Sequence, residues 1–127
     1  MRISLALVIG AGILFHAWKL LLHAPSHASS FAVGLFCFSA APYAVAAILG
    51  CFRRTVTAGV GFALGALAGD LFALYWVAVI SRGSMSGYLF LVMPGVNLLA
   101  LGPVGALLFW VGVKLMRRRS EPGRRER

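Results

Sequence analysis

Asp70 is the single carboxylate between Met1 and Ser120, and it sits in the run Gly69-Asp70-Leu71 among Leu, Phe, Val and Ala. Placing an aspartate at the middle of a membrane helix costs about 2.5–3.5 kcal/mol on insertion scales. The physical default is therefore that its side chain faces the inside of a bundle and has a partner there. Two kinds of chemistry are open to such a group: a hydrogen-bonding lock between helices, or a site that binds a proton or a cation.

Counting residues along helices names the partners. At 1.5 Å of rise per residue, Asp70 lies about 15 Å from one end of its apolar run, Asn97 about 14 Å from the same side of the next, and His16 about 10 Å from that side of the first. Ser39 and Tyr43 occupy a similar depth beside Pro42, whose missing N–H frees a carbonyl as an acceptor. Asp70, His16, Asn97, Ser39 and Tyr43 are thus expected to form one polar layer. Gly12, His16, Lys19 and His23 recur at i, i+4, i+7 and i+11, on one helical face, so the polar interior should extend toward that end.

Other chemistries have less to stand on. His23 and His27 straddle Pro25, which spoils the i, i+4 geometry of a helical metal site, and no metal or other cofactor is expected. Nothing pairs a nucleophile with a base at working spacing, so the chain is not expected to be an enzyme. Cys37 and Cys51 fall on one expected helix, about 21 Å apart along its axis, and cannot pair within it.

The elements that must position these side chains are set by the solvent. The 127 residues are 61% hydrophobic and 12% charged, against about 25% charged in a soluble domain. Between Ile3 and Val113 the only ionised residues are Lys19, Arg53, Arg54, Asp70 and Arg82, too few to clothe a core in polar surface. Lipid is the solvent that fits. A bilayer core of about 30 Å takes about 20 apolar residues in a helix, and four such runs are present, at 3–23, 31–51, 56–80 and 88–115. The breaks between them (Ala24 to Ser30, Cys51 to Thr55, Ser81 to Gly87) are short enough to make neighbours antiparallel. The fold expected is an all-α, integral membrane four-helix bundle over 1–115, followed by a disordered, basic, cytoplasmic tail over 116–127 that is broken by Pro122-Gly123.

Arg2 and the apolar stretch Ile3 to Phe15, followed by Ser26-His27-Ala28, share the outline of a signal peptide. The run stays apolar through Leu22, longer than a usual signal core, so a retained first span is expected. Basic residues mark the cytoplasmic side: ten of the twelve (Arg2, Arg53, Arg54 and seven from Lys114 to Arg127) fall on one side and two (Lys19, Arg82) on the other. Both termini are therefore expected in the cytoplasm, in a bacterial inner membrane, with Trp18, Trp76 and Tyr88 toward the outer interface and Trp110 toward the inner. Arg53, Arg54, Arg117, Arg118 and Arg119 are expected at the lipid surface, where they fix topology. The net charge of +9 belongs mainly to the tail. Nucleic-acid binding needs a structured basic face or interleaved aromatics, and is not expected.

Gly61, Gly65 and Gly69, continued by Ala73, form a stripe of small residues on the third helix. In lipid, close backbone approach over such stripes is a principal source of helix association. The expected occupant is a helix of the same chain, with Ala40, Ala44 and Ala47 on the second as the suggested surface; a homo-oligomer or another membrane protein is the alternative. Pro94 and Pro103, with Gly95, Gly102 and Gly105, predict a kinked or irregular fourth helix.

In length and helix number the chain resembles the small multidrug resistance transporters, which work as dimers around an acidic residue in the first helix. Here the first helix has no acid and the sole membrane carboxylate, Asp70, lies on the third, so membership does not follow. The functional expectation is a small polytopic membrane protein acting non-enzymatically through helix contacts, as an accessory or stabilising subunit or an immunity-type protein. The alternative is a small oligomeric proton- or cation-coupled transporter or channel using Asp70.

Overall fold

A computed structural model describes residues 2–23, 30–80 and 86–119, all of them helical except the turn at 52–55. Helix α1 spans Arg2–His23, α2 Ser30–Cys51 and α3 Val56–Tyr75, the last continued by a π-helical turn, Trp76–Ile80. The final rod is built in three pieces: α4 (Ser86–Val96), a π turn at Asn97–Leu101, and α5 (Gly102–Arg119). Helical geometry thus begins two residues before 88 and runs four residues past 115, into the segment expected to be disordered tail. Residues 120–127 and the loop with Pro25 and His27 lie outside the described residues, as do the side chains of Lys19, His23, Tyr88 and Arg119.

Three helical stretches are long and apolar enough to cross a membrane, Val33–Cys51, Val56–Val79 and Leu91–Arg118; Arg2–Trp18 is a shorter apolar helix. The bundle is apolar outside and partly polar inside. Ile3, Leu14 and Leu99 are at least 70% exposed, whereas His16, Ser39, Asp70 and Asn97 are at most 8% exposed. That distribution reverses the pattern of a protein folded in water.

Helix α3 is the hub, packed against α1, α2, α4 and α5. Its composition explains the position. Ala58, Gly59, Gly61, Ala63, Gly65, Ala66, Gly69 and Ala73 spread small side chains around its circumference, so several neighbours can approach its backbone at once. Gly59 faces α2, where a Cβ would lie 2.9 Å from the Ala46 carbonyl oxygen and 3.1 Å from the Gly50 nitrogen.

Gly61 and Gly65 face α5. A Cβ on Gly61 would lie 2.5 Å from the Gly105 carbonyl oxygen and 2.9 Å from the Ala106 Cα, and one on Gly65 would run into the Leu101 carbonyl. The stripe is therefore covered by α5 and the π turn of the same chain. Helix α2 does not occupy it; Ala44 and Ala47 are exposed, because α2 meets α3 along Ala46 and Gly50 instead.

The tight connection between α2 and α3 closes one end of the bundle. Thr55 Oγ1 donates to the Leu49 carbonyl at 2.5 Å, and the amides of Thr55 and Val56 both donate to the Phe52 carbonyl at 3.1 Å. These bonds satisfy carbonyls that the end of α2 would leave bare. Near this end sits an apolar core of Leu5, Ala46, Val60, Phe62 and Ala63. The polar residues collect in the other half.

Candidate polar site

The carboxylate of Asp70 draws in one side chain from every other rod. On Oδ2 it accepts a hydrogen bond from the Tyr43 hydroxyl at 2.6 Å and meets His16 Nε2 at 2.9 Å. On Oδ1 it accepts from Asn97 Nδ2 at 2.8 Å. Helices α1, α2, α3 and the π turn between α4 and α5 thus converge on two oxygen atoms.

Local sequence makes each approach possible. Gly12 lies one turn before His16 on α1, and a Cβ there would overlap the Tyr43 ring; the missing side chain is the slot into which that ring inserts. The His16 and Tyr43 rings then meet edge-on, with centroids 5.9 Å apart at 62°, and Phe15 meets His16 similarly at 5.6 Å and 72°. Tyr43 is fully buried and follows Pro42, which lacks the N–H that would donate back along α2.

Asn97 opens the π turn. The Gly102 amide donates to the Asn97 carbonyl five residues back, the mark of a widened turn. Pro103, next in the chain, brings no N–H to the helix and would crowd the carbonyl four residues before it. The widened turn is the structural form of the irregularity that Pro94 and Pro103 predict. It also re-aims the chain so that the Asn97 side chain points at α3. Gly69 gives it room, since a Cβ on Gly69 would collide with Asn97 Oδ1. The last glycine of the stripe therefore serves the polar site as well as the packing.

Among the described residues Asn97 Oδ1 accepts no hydrogen bond although it is buried. The amide has turned its nitrogen to the carboxylate, and its oxygen faces Gly69. Buried acceptors left bare are uncommon and costly.

Asp70 and His16 are two ionisable side chains in contact at a buried site. A lone carboxylate in an apolar surround is expensive. With His16 beside it, the aspartate–imidazolium pair and the aspartic acid–imidazole pair are both neutral overall, and they differ by the position of one proton along a 2.9 Å contact. Tyr43 and Asn97 donate to the carboxylate in the first arrangement and stabilise it.

Of the residues expected in one polar layer, Asp70, His16, Asn97 and Tyr43 come together. Ser39 is buried one turn from Tyr43 on α2, but it is not among the groups bonded to Asp70. Lys19 and His23 have side chains outside the described residues. Ala73 is buried at 1% exposure, and Arg53, Arg54, Arg117 and Arg118 are exposed. Sequence reasoning missed the parts played by Gly12, which admits Tyr43, and by Gly105, which faces Gly61. The available signal was Gly12 lying four residues before His16 and Gly102 lying three before Gly105.

No family model, curated protein or solved structure matches this chain.

Proposed function

We propose that this chain is a polytopic protein of a bacterial inner membrane, with four spans and both termini in the cytoplasm, that acts non-enzymatically through helix contacts as an accessory, stabilising or immunity-type subunit. The observation that carries the reading is the convergence of four rods on the Asp70 carboxylate. A buried polar node of this kind fixes the mutual rotation of helices whose surfaces are otherwise greasy and weakly specified. A rigid rod bundle with an apolar exterior is the form required of a protein whose work is to be packed against.

Membrane placement is supported by the three long apolar helices, by the apolar exterior, and by Trp18 and Trp76, 55% and 41% exposed near helix ends, where indoles prefer to sit. Helix α1 supplies the fourth span in this reading. The charge bias toward one end sets the orientation.

The glycine stripe is covered by α5, so the surface proposed for a partner is the outward side of α2. Cys37, Ala44, Ala47 and Cys51 are exposed there, small residues over which a helix of another copy or another protein can approach closely. The test is Ala44→Trp with native gel electrophoresis in mild detergent. Loss of a higher-mass complex, with the monomer still folded, is the expected result; an unaltered complex removes α2 from the interface.

A second reading is a proton- or cation-coupled transporter or channel centred on Asp70. The specific observation in its favour is the bare, buried Asn97 Oδ1 beside the Asp70–His16 pair and inside a π turn, since such turns recur at functional sites. Asp70→Asn retains the shape and removes the titration. Ion-coupled flux in reconstituted vesicles that vanishes in Asp70→Asn supports this reading; flux that persists excludes it.

A further inference from the structure

An apolar groove of about 410 Å³ opens on the outer surface of the bundle between α2, α3 and α5, lined by residues that include Leu49, Ala58, Pro103, Leu107 and Trp110. Its walls are hydrocarbon and indole. The geometry places a set of cations at one end of it. Pro103, Leu107 and Trp110 share one face of α5, and Lys114 and Arg117 continue that face by further steps of four and three. The Lys114 ammonium lies over the Trp110 ring, 4.8 Å from its centroid. On the opposite wall, Leu49 and Ala58 flank the α2–α3 turn that carries the exposed Arg53 and Arg54. An apolar slot that ends under basic groups from two separate elements is complementary to an amphiphile with one apolar chain and an anionic head.

We infer that this groove binds an anionic phospholipid, with an acyl chain along Pro103, Leu107 and Trp110 and the phosphate between the Arg53–Arg54 turn and Lys114. The inference rests on the membrane reading above but not on any partner or transport activity. It differs from diffuse attraction of a basic tail to a charged surface, because it requires both the slot and the charges. Two arginines and a lysine near the phosphate imply a preference for the anionic lipid, at about fivefold per basic residue close to the surface. Arg117 lies one turn beyond Lys114 and extends the basic end.

Trp110 reports on the slot directly. In the full chain carrying Trp18→Phe and Trp76→Phe, reconstituted in vesicles, its fluorescence is titrated with phosphatidylglycerol or phosphatidylcholine brominated on the acyl chain. Stronger quenching by the glycerol lipid at equal mole fraction, corresponding to an association preference of fivefold or more, is expected. That preference should drop by about fivefold or more in Arg53→Gln/Arg54→Gln, with Lys114 retained. It should fall also in Ala58→Phe, which fills the slot and leaves every charge in place.

Equal quenching by both lipids overturns the site while leaving the membrane reading intact. An anionic preference that survives Ala58→Phe overturns it too, since the attraction is then a surface effect. Absence of quenching by either lipid overturns the site and the membrane reading together. The substituted arginines are exposed, and Ala58 lines the groove on the α3 wall facing α5. Retained helicity of the variants in vesicles separates loss of the site from loss of the fold.

Discussion

Gly61 and Gly105 meet backbone to backbone where α3 crosses α5: a Cβ built on either would fall at or inside 2.5 Å of the other's carbonyl oxygen. Neither residue has a side chain to retract, so the contact is reserved for glycine on both helices. Its consequence is that the small-residue stripe of α3 is an internal seam, and any partner must be sought on another face.

Gly65→Leu should therefore unfold the bundle and not merely weaken an association. The obstacle is the Leu101 carbonyl, a backbone atom, and the cost should lie at or above the about 1–3 kcal/mol usual for overpacking. Thermal melting in detergent, followed by circular dichroism, measures it. Gly10→Leu and Gly112→Leu are the matched controls, because a Cβ at either position meets nothing within 4 Å. A Gly65→Leu protein that melts with the wild type would show that α5 does not cover the stripe.

Tyr43→Phe removes one donor to Asp70 and nothing else. A loss of about 0.6 kcal/mol is expected, the average for side-chain hydrogen bonds between membrane helices, with about 1.7 kcal/mol as the upper bound. Combined with Asp70→Ala in a double-mutant cycle, the two changes should be non-additive, since both break the same bond. Strict additivity in unfolding measurements would mean the 2.6 Å contact is not made in the folded protein.

Asn97→Ala leaves Asp70 Oδ1 without its donor while also removing the bare Oδ1 of the amide. Loss of the donor should dominate, at about 1–3 kcal/mol for a buried carboxylate left short of a partner. Unfolding of Asn97→Ala in mixed micelles gives the sign. A more stable variant would show that the orphaned oxygen costs more than the bond to Asp70 contributes.

The orientation is open to a test with native residues. Cys51 is exposed beside the α2–α3 turn, at the end of the bundle that carries Arg53 and Arg54. A membrane-impermeant maleimide added to intact cells should leave Cys51 unmodified, and the same reagent on inverted membrane vesicles should label it. Cys37, deeper in α2, should react slowly in both. Modification of Cys51 from outside the cell would reverse the proposed topology.

What the sequence alone determined is position along the helix axes. Four apolar runs can be read from hydropathy because a helix rises by a fixed amount per residue and lipid has a definite thickness. The same ruler puts Asp70, Asn97 and His16 at nearly one depth without reference to their contacts. Rotation about the axes is the part that only the tertiary structure decided. A helix that is apolar on every side carries no amphipathic stripe to say which face turns inward, so Tyr43 could not be told from Ser39 as the α2 ligand of Asp70. For the same reason the glycine stripe could not be assigned to α5 over α2, nor Gly12 recognised as the slot for an aromatic ring. Those choices depend on which backbones can touch, a property of pairs of helices, and no single stretch of residues holds it.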